Sequence, residues 1–210
     1  MYRYLLTGLI IASCAAIHAE SNFEPGTHYE VITPAQPTKT GDKIEVIEFF
    51  WYGCQHCFTL EPHIKAWMGS KAPYIEFMRI PAVFADNWEI HARTYYAAQK
   101  LGVLDTIHTP LFEALHLRKR PLFTEDALAT FFAELGIGEN QFRQAFNSFA
   151  VDTKTRQAIS ATWDYGVDGV PTMITNGKYR SSARRAGSYE ELLNVVNYLA
   201  AKEHKSGVEE

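Results

Sequence analysis

Between residues 44 and 50 the chain reads Ile-Glu-Val-Ile-Glu-Phe-Phe, which places Ile44, Val46 and Phe50 on one face of an extended strand and Ile47 and Phe49 on the other. Apolar positions on both faces predict a central strand covered on both sides, and they leave Glu48 on an apolar face. A second strand is predicted over Tyr74–Ile80, and a short one near Tyr29–Ile32 in the stretch before the first strong element. A further strand over Thr172–Thr175 meets Asn176-Gly177 and then Lys178–Arg180, the pattern of a β-hairpin. From about Asp86 to Tyr165 the apolar spacing becomes helical. Leu128, Phe131, Phe132 and Leu135 mark one helix, Phe142, Ala145, Phe146 and Phe149 the next, with 88–101 and 152–165 as further members. Aromatic residues at this spacing read as core. A last helix begins at Ser188, where Ser188 and Glu191 have capping-box spacing and Leu192, Val196 and Leu199 share a face. Strands on both sides of the helical run make that run an insertion into an α/β sheet.

The first residues read differently. Met1-Tyr2-Arg3 precedes a mostly apolar run, Leu5 to Ile17, too short to span a bilayer and patterned as an export signal. Cleavage after Ala19 is the preferred reading. Ile11-Ala12-Ser13-Cys14 also resembles a lipoprotein box, in which case Cys14 would carry a lipid anchor. The expected organisation is a signal over 1–19, an extended Pro-rich arm over 20–40, a sheet domain from 41–85 and 166–205, the helical insertion over 86–165, and a tail over 206–210.

Composition narrows the classes further. With 210 residues and 47% hydrophobic positions there is ample material for a sizeable core. A net charge of -4, with both signs spread along the chain, gives no nucleic-acid footprint. The basic group Lys178, Arg180, Arg184 and Arg185 reads as a solvated loop rim.

The chemistry lies in Cys54-Gln55-His56-Cys57, between the first strong strand and a helix-like stretch. Such a pair at a helix start is a redox motif, because the unpaired N–H groups and dipole of the first turn stabilise a thiolate on the first sulfur. Cys54 is therefore the exposed, reactive candidate, and Cys57 sits one turn inside. A structural staple is disfavoured, since so small a ring removes little chain entropy. His56 can donate to the sulfur or carry charge near it. Glu48, six residues before Cys54, is a candidate for proton exchange with Cys57; the competing reading has its carboxylate bonded to a backbone group or an edge lysine. Zinc would need a further close ligand pair beyond Cys54, Cys57, His56 and His63, and covalent haem needs His where Phe58 stands. No metal or organic cofactor is expected.

Glu48-Phe49-Phe50, the Cys54–Cys57 motif with His56, Gly169-Val170-Pro171 and Asn176-Gly177-Lys178-Tyr179, in that order, resemble the DsbA family of periplasmic thiol:disulfide oxidases. The resemblance spans nearly the whole chain after the signal. It implies a thioredoxin-like fold with a large inserted all-helical domain, a redox-active Cys54–Cys57 disulfide, and a cis Pro171 beside it. It implies too that the Val170 backbone pairs with an extended substrate chain and that the Cys54 pKa is depressed. Reduced or unfolded exported proteins would be the substrates, a DsbB-type quinone-linked membrane oxidase the reoxidising partner, and the protein would act as a monomer in the periplasm. Gln55 departs from the family's usual Pro-His dipeptide, which leaves the exact potential open. An isomerase or reductase of the same fold uses the same chemistry in other directions, but the arm before the first strand lacks room for the dimerisation domain of periplasmic isomerases. A non-catalytic peptide-binding chaperone would be indifferent to Cys54→Ser.

Overall fold

The computed structural model describes residues 23–208, so the signal reading and Cys14 lie outside the described residues. β1 (Glu30–Val31), β2 (Ile44–Phe50), β3 (Ile75–Pro81), β4 (Thr172–Thr175) and β5 (Tyr179–Ser181) form one sheet in the order β1-β5-β4-β2-β3. β2 runs parallel to β3 and antiparallel to β4, and every residue of β2 is buried, as expected of a central strand. β3 and β4 lie within a residue of their expected ends.

Two layers of helices cover the sheet. Ile44 and Val46 of β2 pack with Leu60, Ile64 and Trp67 of α1 (Gln55–Met68) and with Leu192 and Val196 of α8 (Tyr189–Val208). Ile47 and Phe49 face the other way, toward Ile174, Tyr165 and Val167. The hairpin between β4 and β5 turns on Asn176 (φ 52°) and Gly177 (φ 65°). Thr175 pairs with Tyr179 across a three-residue loop, and the two left-handed positions let the Lys178 N–H close the turn on the Thr175 carbonyl at 3.0 Å. A side chain at Gly177 would also collide with the Gln36 carbonyl, 2.0 Å from the ideal Cβ.

Between β3 and β4 run five helices: α2 (Asp86–Leu101), α3 (Leu104–His116), α4 (Glu125–Glu134), α5 (Glu139–Phe146) and α6 (Phe149–Asp164). Leu128, Phe131, Phe132, Phe142, Ala145 and Phe146 fill their common core as the spacing required. This is the thioredoxin-like sheet with an inserted all-helical region. α7 (Ala183–Ala186) is a single turn leading to α8.

Three expectations change. Phe149 is not core: Ser148 caps α6, accepting from the Val151 N–H, and Phe149 in the first turn beyond it is 80% exposed. The segment 206–208, expected in the tail, continues α8, and the Ser206 hydroxyl donates back to the Lys202 carbonyl. Ser188 caps α8 through the Glu191 N–H at 3.0 Å, but the Glu191 carboxylate accepts from Asn194 instead of closing the box.

Candidate active site

The turn Trp51-Tyr52-Gly53 carries the chain from the end of β2 into α1. Trp51 lies flat on Trp88 (ring centroids 4.1 Å apart, planes 8° apart), and its ring fills the space beside residue 53. A Cβ there would fall 2.4 Å from the indole, so only glycine fits. Cys54 follows as the N-cap of α1, with extended backbone and its N–H on the Trp51 carbonyl. A cap residue's side chain normally accepts from the orphan N–H groups of the first turn. Here that acceptor is sulfur: Cys54 Sγ receives the Cys57 N–H at 3.3 Å.

The two sulfurs occupy opposite environments. Cys54 is half-buried, and its pKa is lowered to about 6, chiefly by a hydrogen bond from the Cys57 side chain. The His56 and Cys57 N–H groups and the charge of His56 add to this, against burial. Cys57 is fully buried, and burial pushes its thiol well above 9.0, with the Cys54 sulfur and Glu48 adding to the rise. Both are thiols in this structure, and the Cys54 thiol donates to the Val170 carbonyl at 3.4 Å. The Val170–Pro171 peptide is cis. A chain segment 116 residues away thus places its backbone against the reactive sulfur.

His56 acts on Cys54 with its backbone and its charge, while its ring is engaged elsewhere. Its ring Nδ1 lies 3.1 Å from the Tyr189 hydroxyl on α8, so its contribution to Cys54 comes through its backbone N–H and its charge, not a ring-to-sulfur bond.

Glu48 is fully buried on the α1 face of the sheet, and its neighbour in register on β3 is Arg79. Arg79 Nε donates to Oε2 at 2.8 Å; Oε1 has no partner. The expected partner, a backbone group or a lysine, is thus an arginine, placed by strand register. Burial raises the Glu48 pKa to about 7, with Glu61 and Cys54 adding to the rise and Arg79 opposing it. Arg79 also donates to both oxygens of Glu61 at 3.2 Å, and Glu61 accepts from His108 Nε2, while His108 Nδ1 accepts from the Tyr52 hydroxyl at 2.8 Å. Among the described residues no group of three or more His, Cys, Asp or Glu side chains is arranged to hold a metal ion.

Residues 75–194 match the model of the DSBA-like thioredoxin domain. The thiol:disulfide interchange protein DsbA of Pseudomonas aeruginosa strain PAO1 is 35% identical over 205 residues, 97% of each chain, so the likeness takes in the cysteine turn that precedes the matched domain. The chain belongs to the DsbA family. DsbA of Burkholderia cepacia is 36% identical over 93% of this chain and 92% of its own. The fold agrees: the P. aeruginosa DsbA crystal structure superposes with a TM-score of 0.84 at 36% identity, covering 88% of this chain and 96% of that one. DsbA from Xylella fastidiosa gives 0.81 at 32% identity, covering 87% and 98%. As a DsbA-family member the protein is a thiol:disulfide oxidoreductase.

Sequence reasoning missed α3, which brings His108, Phe112 and His116 to the underside of the cysteine turn. Phe112 lies between Phe50, Tyr52 and Phe58. Ile107, Leu111, Phe112 and Leu115 carry the helical spacing that could have found it; Pro110 masks it, since proline in a helix interior removes a hydrogen bond.

Proposed function

We propose that this member of the family is the oxidising kind, passing its Cys54–Cys57 disulfide to exported proteins. The observation that carries the reading is the contrast between two sulfurs three residues apart, one held toward thiolate with a pKa of about 6 and the other kept protonated by burial. Stabilising a thiolate in the reduced protein makes its disulfide easier to reduce, and so a stronger oxidant.

The steps follow from that contrast. A substrate thiolate attacks Cys54 Sγ; the Cys54–Cys57 bond breaks, and Cys57 leaves as a thiolate and takes up a proton. Glu48, still protonated in part near neutral pH, is the nearby acid in this reading. A second substrate thiolate then attacks the substrate sulfur of the mixed disulfide and releases Cys54 as a stabilised thiolate. Two electrons pass from the substrate dithiol to the cysteine pair. Val170, whose carbonyl meets Cys54 Sγ, and the cis Pro171 would present backbone to the extended substrate. His56 supplies charge near Cys54.

The leader-like pattern of 1–19 supports a periplasmic setting with reduced exported proteins as substrates. The family reading adds reoxidation by a DsbB-type quinone-linked membrane partner and action as a monomer. The sheet domain of 41–85 and 166–205 would carry the chemistry and the insertion of 86–165 would cover it.

The test is the equilibrium of the cysteine pair with a glutathione buffer, read from tryptophan fluorescence through the Trp51–Trp88 stack beside Cys54. A strongly oxidising constant is expected, together with loss of substrate oxidation in Cys54→Ser. A potential near that of thioredoxin would overturn the oxidase reading in favour of a reductase or isomerase, and oxidation surviving Cys54→Ser would remove the cysteine chemistry altogether.

A further inference from the structure

The last residue of α3, His116, bonds the chain on both sides of Cys54. Its Nε2 lies 2.7 Å from the Tyr52 carbonyl, which can only accept, so Nε2 carries a proton. Its Nδ1 lies 3.2 Å from Oε1 of the Gln55 side-chain amide, whose two ends can exchange places. The ring is also stacked on Phe58 in the first turn of α1, with centroids 5.1 Å apart and planes 9° apart.

These contacts fix both edges of the reactive turn. Tyr52 belongs to the Trp51–Gly53 turn whose Trp51 carbonyl holds the Cys54 N–H, and Gln55 opens α1. The His56 and Cys57 N–H groups that stabilise the Cys54 sulfur are set by the same turn. An amide suits the imidazole in either protonation state: its N–H₂ end donates to a bare Nδ1, and its carbonyl end accepts from a protonated one. Proline, which the family's usual dipeptide places here, has no side-chain donor or acceptor and could make neither bond.

We propose that His116 is a positioning residue for the redox reaction, acting through Gln55 to hold the first turn of α1 against Cys54 and so to make the disulfide more oxidising. The inherited cysteine motif thereby acquires a tie to the helical insertion that a proline at position 55 would lack. The proposal rests on the reading of Cys54 as the attacked sulfur.

The experiment is a double-mutant cycle in the glutathione equilibrium, with His116→Phe, which keeps the stacking surface but removes both hydrogen bonds, Gln55→Leu, and the pair. One net hydrogen bond corresponds to about a two- to tenfold change in an equilibrium constant. Each single variant is expected to shift the constant toward the disulfide by that factor, with the double variant shifted no further than the larger single. The Cys54 thiolate absorbance should then appear at higher pH in the variants than in the wild type. An unchanged constant in both single variants overturns the proposal, as does a double variant whose shift is the product of the two. Gln55 is exposed, so Gln55→Leu still decides the matter if His116→Phe does not fold; an unchanged constant in Gln55→Leu alone would then overturn it. A wild-type constant near that of thioredoxin would instead strike the oxidase reading, while the cycle would still report whether His116 and Gln55 are coupled.

Discussion

Two buried carboxylates in this protein have opposite fates. Glu203, on α8, accepts from the Asn176 amide at 2.9 Å, the Lys178 ammonium at 2.5 Å and the Tyr179 hydroxyl at 2.7 Å. Burial alone would raise its pKa, but these three donors more than reverse that and hold it below the usual carboxylate value. Glu48 has one donor group, Arg79, shared with Glu61, and one oxygen with no partner. There burial wins. A carboxylate tied at both oxygens is a fixed anion that fastens the β4–β5 hairpin to α8; one left half-tied beside a buried thiol can change protonation at neutral pH. Incomplete hydrogen bonding separates a candidate reacting group from a structural one more sharply than burial does.

The largest expected effect lies at the structural carboxylate. Glu203→Leu leaves the Asn176 amide and the buried Tyr179 hydroxyl without their acceptor, and each orphaned donor should cost about 1–3 kcal/mol of stability, while Lys178 can turn to water. Chemical denaturation measures it. The glutathione equilibrium of the folded fraction should not move; if it does, the separation of structural from reactive carboxylates fails.

The next effect is a pH dependence of opposite sign at the two sites. The Glu48 pKa rises on folding from 4.5 to about 7, so its stabilising contribution is full below pH 4.5 and is lost as pH climbs to 7. A shift of that size corresponds to about 3 kcal/mol. Glu203, lowered on folding, contributes above its unfolded pKa and loses that contribution as pH falls through its folded value. His91, buried and lowered to about 4, and His108, also lowered, stabilise above the unfolded histidine range and lose that contribution as pH falls, so they tilt the wild-type profile against Glu48. The readout is therefore the difference between wild type and Glu48→Gln. Relative to wild type, the variant should gain about 3 kcal/mol between pH 4 and pH 8. A flat difference would mean that folding leaves the Glu48 pKa where it is in the unfolded chain.

How much of this was legible beforehand varies with how local the cause is. β2 was readable to the residue because both its faces are apolar, and the hairpin because Asn176-Gly177 supplies two left-handed positions in a row. Cys54 and Cys57 were readable because a short motif before a helix fixes its own geometry. Glu48 was visible as a carboxylate on an apolar face, but its partner was not: Arg79 is 31 residues away and meets it only through parallel register. The His116–Gln55 contact spans 61 residues and depends on α3, which Pro110 hides. The ring of His56 pairs with Tyr189, 133 residues on, a contact that only the packing of α8 on α1 creates.

Smaller effects come from removing the donors of Glu203 one at a time. Asn176→Gly keeps the left-handed backbone that the turn needs at φ 52° while deleting one buried donor. It should cost about 1 kcal/mol, the net worth of one hydrogen bond. Lys178→Met removes the formal countercharge, yet the lysine side chain is 47% exposed and its interaction is screened by water. Asn176 and Tyr179 remain on the carboxylate, so the loss should be under about 1 kcal/mol and should shrink further in high salt. If Lys178→Met instead costs as much as Glu203→Leu, the cation and not the number of donors holds the Glu203 carboxylate, and the contrast drawn with Glu48 fails.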